Sequence, residues 1–153
     1  MADIVTPEKR SEMMAGIRGK NTRGELIVRR GLHRMGFRFR LHDAKLPGKP
    51  DIVLPRYKAV ILVHGCFWHG HGCHLFKWPS SRIDFWKTKI TRNQQKDVET
   101  LVELKELGWR VLIIWECATK GKSKVPLNRM LELIAEWVVK GGQILEVRST
   151  DVN

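Results

Sequence analysis

The sequence predicts one α/β domain, with a mixed central sheet flanked by helices. Three observations carry that prediction. Two short β-type runs, Ile52 to Leu54 and Ala59 to Val63, flank a turn that Pro55 opens. A further run, Trp109 to Glu116, is apolar almost throughout, as a strand buried on both faces requires. Stretches with helical apolar spacing precede, separate and succeed these runs. At 153 residues the chain suits a single core, since a domain of this size buries about two-thirds of its unfolded surface.

In chain order, Pro7 to Lys20 has a weak helical pattern, with Met13, Met14 and Ile17 set among Lys9, Arg10 and Arg18. Gly16 and Gly19 weaken it as an independent helix, so residues 1–20 form a basic arm and 21–153 the domain. Thr22-x-x-Glu25 is a capping box that opens a helix in which Leu26, Ile27, Leu32 and Met35 recur up to Gly36. Phe37 to Leu41 alternates apolar residues with arginine, a strand that puts Arg38 and Arg40 on one face. Leu46 to Pro50 is a turn that delivers Asp51, with Lys49 able to steer phosphate.

Ser81-x-x-Asp84 opens a long helix whose buried stripe is Ile83, Trp86, Ile90, Leu101 and Leu104, closed at Leu107-Gly108. Its first half carries Lys87, Lys89, Arg92 and Lys96, suited to a phosphate backbone, and its second half Glu99, Glu103 and Glu106. Leu127 to Val139 is a final amphipathic helix, and the residues after Gly141-Gly142 form a loose strand or tail.

The charge balance names a partner class. Lys and Arg number 28 against 16 Asp and Glu, a net of +12, and the pI is near 10.1; this is the footprint of a polyanion such as nucleic acid. Residues 1–58 hold 14 basic and 6 acidic side chains, +8, against 14 and 10 for the remainder, +4, so the excess leans to the N-terminal part. No apolar stretch approaches the roughly 20 residues of a membrane span and no signal peptide opens the chain, so the expected location is the cytoplasm, away from membranes.

Chemistry concentrates between Asp51 and Cys73. With the turn centred near Arg56-Tyr57, Asp51 falls beside Leu62 to His64 on the neighbouring strand. The oxygens of Asp51 suit a hard cation such as Mg²⁺, while His64 and His69 can move protons near neutral pH. Cys66, His71 and Cys73 have the spacing C-x4-H-x-C, and Cys117 ends the next apolar run. A structural zinc ion takes four N or S ligands, and these residues supply four, with His74 as a competitor for one place. Three cysteines without a secretory signal argue against a disulfide framework. Phe67 and Trp68, on the loop between Cys66 and His69, ordinarily pack over such a site.

The runs Gly48-Lys49-Pro50-Asp51-Ile52-Val53, Val63-His64-Gly65-Cys66-Phe67-Trp68-His69, His71-x-Cys73 and Trp115-Glu116-Cys117 resemble the very short patch repair endonucleases of bacteria, which nick DNA beside a thymine–guanine mismatch. The resemblance extends from the basic arm to about Cys117. It implies a restriction-endonuclease-like core and a Mg²⁺-dependent nick 5′ of the mispaired thymine, leaving a 3′-hydroxyl and a 5′-phosphate to start repair.

The same resemblance implies residue roles. Asp51 bridges one or two Mg²⁺ ions; the usual core pattern has an acid and a lysine where Val63 and His64 stand, so Val63 offers the metal its carbonyl oxygen. His69 becomes the general base and His64 the group that helps the leaving oxygen, an assignment the sequence alone leaves reversible. Glu25 helps hold a metal-bound water, zinc on Cys66, His71, Cys73 and Cys117 is structural, and Phe67, Trp68 and Trp86 intercalate beside the mismatch. Met14 is the wedge from the arm. The implied partner is double-stranded DNA with a T:G mismatch, bound by a monomer at the bacterial nucleoid and joined by mismatch-repair proteins. Two other classes compete on the residues: a restriction-type enzyme cutting both strands of matched DNA, and a non-catalytic, zinc-stabilised DNA-binding module in which Asp51 and His69 are idle.

Overall fold

The computed structural model of the chain describes residues 22–149; the basic arm, Met14 included, lies outside the described residues. Thr22 caps helix α1 (Arg23–Arg34) by accepting the Glu25 amide on Oγ1 at 3.3 Å, which satisfies one of the helix's free N–H groups. The chain turns at Gly36, whose φ of 96° favours glycine, and enters strand β1 (Arg40–Leu41). Phe37 and Phe39 pack against the core while Arg38 and Arg40 stay exposed. The expected alternation is therefore present, but only two residues reach a partner strand, so the 37–41 strand is shorter than the pattern suggested. Met35 is also 47% exposed, because the buried line of α1 runs through Val28, Gly31 and Leu32.

Strands β2 (Ile52–Leu54) and β3 (Ala59–His64) form the expected hairpin, in the register Ile52↔Ile61 and Leu54↔Ala59. Its turn is a short 3-10 segment, Pro55–Tyr57, closed by Lys58 with φ 54°. Helix α2 (Ile83–Glu106) crosses from β3 to β4 (Arg110–Trp115), which pairs parallel to β3. Its N-cap is Arg82, in the left-handed region at φ 54°, not Ser81; the Arg82 guanidinium sits 4.4 Å above the Phe85 ring and no side chain caps the helix. A single turn, α3 (Glu116–Thr119), comes after β4, and then α4 (Leu127–Lys140).

Strand β5 (Ile144–Val147) runs parallel to β4 through Val111↔Ile144 to Ile114↔Val147. The segment expected as a loose strand or tail is thus a paired fifth strand. Its local signal is weak because only Val147 is buried, and β4 supplies the order. The sheet order is β1-β2-β3-β4-β5, a mixed sheet as expected, consistent with a restriction-endonuclease-like core.

Strand alternation divides the core in two. Ile52, Leu54, Ile61, Leu112 and Ile114 face α1 and α4, meeting Val28, Leu32, Met130 and Ile134. Val53, Val60, Leu62, Val111, Ile113 and Trp115 face the other way, where Leu104 of α2, Cys66 and Cys117 complete the layer. Period-2 geometry then puts Asp51 and His64, each two steps beyond Val53 and Leu62, on the α2 side of the sheet's rim.

Candidate active site

Asp51 and β3 meet as the hairpin register requires. Asp51 Oδ2 accepts the Val63 amide at 2.7 Å, so Val63 contacts the carboxylate through its N–H, while its side chain lies towards Gly24 at the start of α1. Burial pushes the Asp51 carboxyl up to about 6 from 3.8; the Val63 hydrogen bond opposes the rise and the charge of Glu25 adds to it. Glu25 is only 1% exposed, and its Oε2 contacts Arg29 at 2.9 Å and His42 Nε2 at 2.7 Å. The capping box therefore accounts for the backbone end of Glu25, while its carboxylate points at the neighbourhood of Asp51. One ligand atom each of Glu25, His42 and Asp51 lies within 4.8 Å of the others, and two carboxylates with an imidazole suit a divalent cation.

His64 closes β3 and stacks on His69, ring centroids 3.9 Å apart and 6° from parallel. His64 is 9% exposed. Burial, then the neighbouring His69, lowers its pKa to about 3, so it is neutral at pH 7. His69 Nδ1 lies 2.6 Å from Asp97 Oδ2 on α2. That pairing holds the ring, because α2 also grips the loop backbone: Asn93 donates to the Trp68 carbonyl at 2.8 Å and Gln94 to that of His69 at 3.2 Å. Asp51, His64, His69 and Asp97 line a cavity of about 650 Å³, together with Lys49 and Lys96.

The four zinc candidates converge. Ligand atoms of Cys66, His71, Cys73 and Cys117 lie within 4.8 Å of one another, with His71 Nδ1 at 3.5 Å from Cys66 Sγ and 3.7 Å from Cys117 Sγ. Around tetrahedral zinc, sulfur and nitrogen ligands sit about 3.5 Å apart; the donor set fits that ion. Burial pushes the Cys66 thiol upward, and Cys66 Sγ and Cys117 Sγ accept the amides of Cys117 and Ser149, both at 3.3 Å. Sulfurs already taking N–H groups are prepared for the thiolate form that a cation stabilises. His74 points elsewhere, towards Gly121.

The aromatics cluster as well. Phe67 lies 5.2 Å from Trp68 and 5.3 Å from Trp86, and Trp68 lies 5.7 Å from Trp86. All three are half-buried, so they form a surface patch beside the His69 loop rather than core. Lys87 and Arg92 are exposed on α2 and Lys89 is half-buried.

A family model described as DNA mismatch endonuclease Vsr matches residues 2–75. The DNA mismatch endonuclease Vsr of Escherichia coli is 40% identical over 153 residues, spanning 100% of this chain and 98% of that protein. The chain belongs to the Vsr family. Two further family relatives are named as type II nicking enzymes. V.NmeAIP of Neisseria meningitidis serogroup A is 44% identical over 90% of this chain and 100% of its own. V.XorIIP of Xanthomonas oryzae pv. oryzae is 50% identical over 76% of this chain and 86% of its own.

Within this Vsr-family site, sequence reasoning missed His42 and Asp97. A signal for each existed. His42 is one step beyond the β1–β2 pair Leu41↔Ile52, and its amide donates to the Asp51 carbonyl at 3.1 Å. Asn93, Asp97 and Thr100 recur at spacings of four and three on α2, a polar stripe along one face of the helix.

Proposed function

We propose that this Vsr-family endonuclease nicks one strand of duplex DNA 5′ of the thymine of a T:G mismatch, in a Mg²⁺-dependent hydrolysis that leaves a 3′-hydroxyl and a 5′-phosphate. The observation that carries the proposal is the meeting of Asp51, His64 and His69 on the wall of one open cavity with lysines beside it. Magnesium held at Asp51, with the Val63 carbonyl as a further ligand, would polarise the scissile phosphate and favour the attacking water's ionised form.

The chain's own residues do the rest. His69, its Nδ1 engaged by Asp97, has Nε2 left to take the proton of the attacking water, and Asp97 stabilises the imidazolium that forms. The water oxygen bonds to phosphorus as the bond from phosphorus to the 3′ oxygen breaks. His64 is neutral in the free protein, so it helps the departing oxygen as an N–H hydrogen-bond donor rather than as an imidazolium, and that oxygen takes the proton of its 3′-hydroxyl from solvent water. Glu25 fixes water near the cation. Phe67, Trp68 and Trp86 wedge beside the mispair, where unstacking costs only a few kcal/mol, and zinc on the three cysteines and His71 keeps their loop rigid. Met14 in the arm adds a minor-groove wedge, and Lys87, Lys89 and Arg92 lie along the phosphates.

The type II nicking enzymes among the relatives support a second reading, site-specific nicking that depends on flanking sequence. Labelled duplexes with T:G or T:A at one position, incubated with Mg²⁺ or EDTA, separate the two. The expected result is a nick in the thymine strand of T:G alone, lost in EDTA and in Asp51→Ala. Equal nicking of the T:A duplex would remove the mismatch claim, and full activity in Asp51→Ala would remove the site.

A further inference from the structure

His42 has no part in the mechanism above, yet it is built into the same wall. Its backbone is left-handed, φ 48°, held by the amide bond to the Asp51 carbonyl; such a φ is uncommon outside glycine. The side chain is 17% exposed and turns inward, bringing Nε2 to 2.7 Å from Glu25 Oε2. This contact is close but not an aligned hydrogen bond: Nε2 is buried and makes none. Arg29 already gives Glu25 an N–H at 2.9 Å, so the carboxylate does not need an imidazolium for partner. A buried imidazole nitrogen beside a carboxylate oxygen, with a second carboxylate within 4.8 Å, is arranged as donors around a cation. The contact matches the edge between neighbouring ligands in an octahedron, about 3 Å for bonds of about 2.1 Å.

We propose that His42 Nε2 is a direct ligand of the divalent cation at Asp51, with one oxygen of Glu25 completing a two-carboxylate, one-imidazole face and the other left to hold the cation-bound water. This rests on the reading of Asp51 as the cation site and adds to it a preference. Mn²⁺ and Mg²⁺ both favour oxygen ligands, but Mn²⁺ opens the first-row series along which affinity for a nitrogen-bearing site rises, so it accepts an imidazole in its shell more readily than Mg²⁺. The protein should therefore hold Mn²⁺ more tightly than Mg²⁺ by a margin that His42 sets.

The test uses Mn²⁺ alone as the probe on the zinc-loaded full chain, with no activity measurement. Room-temperature EPR gives Mn²⁺ affinity, pulsed EPR detects ¹⁴N coupling to bound Mn²⁺, and Mg²⁺ competition gives the preference. The expected wild-type spectrum carries the ¹⁴N coupling. His42→Gln, shown folded by circular dichroism, loses the coupling, weakens Mn²⁺ about tenfold or more and leaves Mg²⁺ affinity within a few-fold; losing even an outer-shell partner of a metal ligand costs about 10–100-fold. His69→Ala keeps the coupling. Mn²⁺ bound in an Asp51-dependent way but without ¹⁴N coupling, or with coupling that survives in His42→Gln, overturns the His42 assignment and leaves the Asp51 reading standing. Mn²⁺ affinity unaltered in Asp51→Asn overturns both.

Discussion

Asp51 holds its proton more tightly than a solvated carboxyl, and that has a cost when no cation is present. Unfolded, the group titrates near 3.8; folded, at about 6. The native protein therefore binds more protons between these values, so the stability this group contributes is complete below about pH 4 and is lost as pH rises through 6. A shift of about two units is worth about 3 kcal/mol at most. In zinc-loaded, magnesium-free buffer, Asp51→Asn should be about 1–3 kcal/mol more stable than the parent at pH 8, equal to it at pH 4, and inactive; urea unfolding at the two pH values measures this. A variant less stable at pH 8 would mean that the carboxylate is well solvated or paired in the metal-free protein. Asp51 and His64 were legible in the sequence because both sit at hairpin ends, where register is fixed by turn length. Their altered affinities were not, since burial depends on what α2 lays over them.

Between residue and fold stand the loop from Gly65 to Cys73 and the helix that grips it. Gly70 has φ 61°, and a Cβ there would sit 2.5 Å from Gln94 Nε2 and 2.8 Å from Ile90 Cγ2. Gly70→Ala should therefore lift the loop from α2 and misplace His69 while the core stays intact. Nicking should fall about 100-fold, the order of effect of a displacement near 1 Å, with the melting temperature changed by only a few degrees. Wild-type kcat in this variant would show that α2 does not position the loop. The other end of the loop is tied by the cysteines. Wild-type protein should carry one zinc per chain by atomic emission, and Cys66→Ser should lose zinc and fold together, because structural sites contribute about 10 kcal/mol or more. A folded, zinc-free Cys66→Ser with normal activity would make the cluster idle. Trp115 links the two centres: it stacks on His71 at 4.0 Å and meets His64 edge-on at 5.2 Å, so metal loss should reach the histidine pair by way of the indole.

At the scale of the whole molecule, the +12 charge and the open cavity act together. If about six phosphates are neutralised, log K for duplex DNA should fall with log salt at a slope near −5; fluorescence anisotropy from low to moderate salt measures it, and a flat response would reject the basic surface as the binding face. Among the described residues no helix is long and apolar enough to cross a membrane.

Apolar periodicity, the turn after Leu54 and the Cys-His spacing by themselves determined the hairpin, the buried strand at 110–115, the grouping of Cys66, His71 and Cys73 and the meeting of Asp51 with His64, because each arises from local geometry over a few residues; the choice of Cys117 over His74 waited for the sheet to bring it 51 residues back to Cys66. Only the tertiary structure decided that β5 is a strand, that Arg82 rather than Ser81 starts α2, that Glu25 turns its carboxylate towards His42, and that Asp97 reaches His69. Apart from the Arg82 cap, those facts depend on partners 17 to 33 residues away, as in Glu25 with His42 and Val111 with Ile144. No local pattern encodes such pairs; packing both faces of one sheet brings them together.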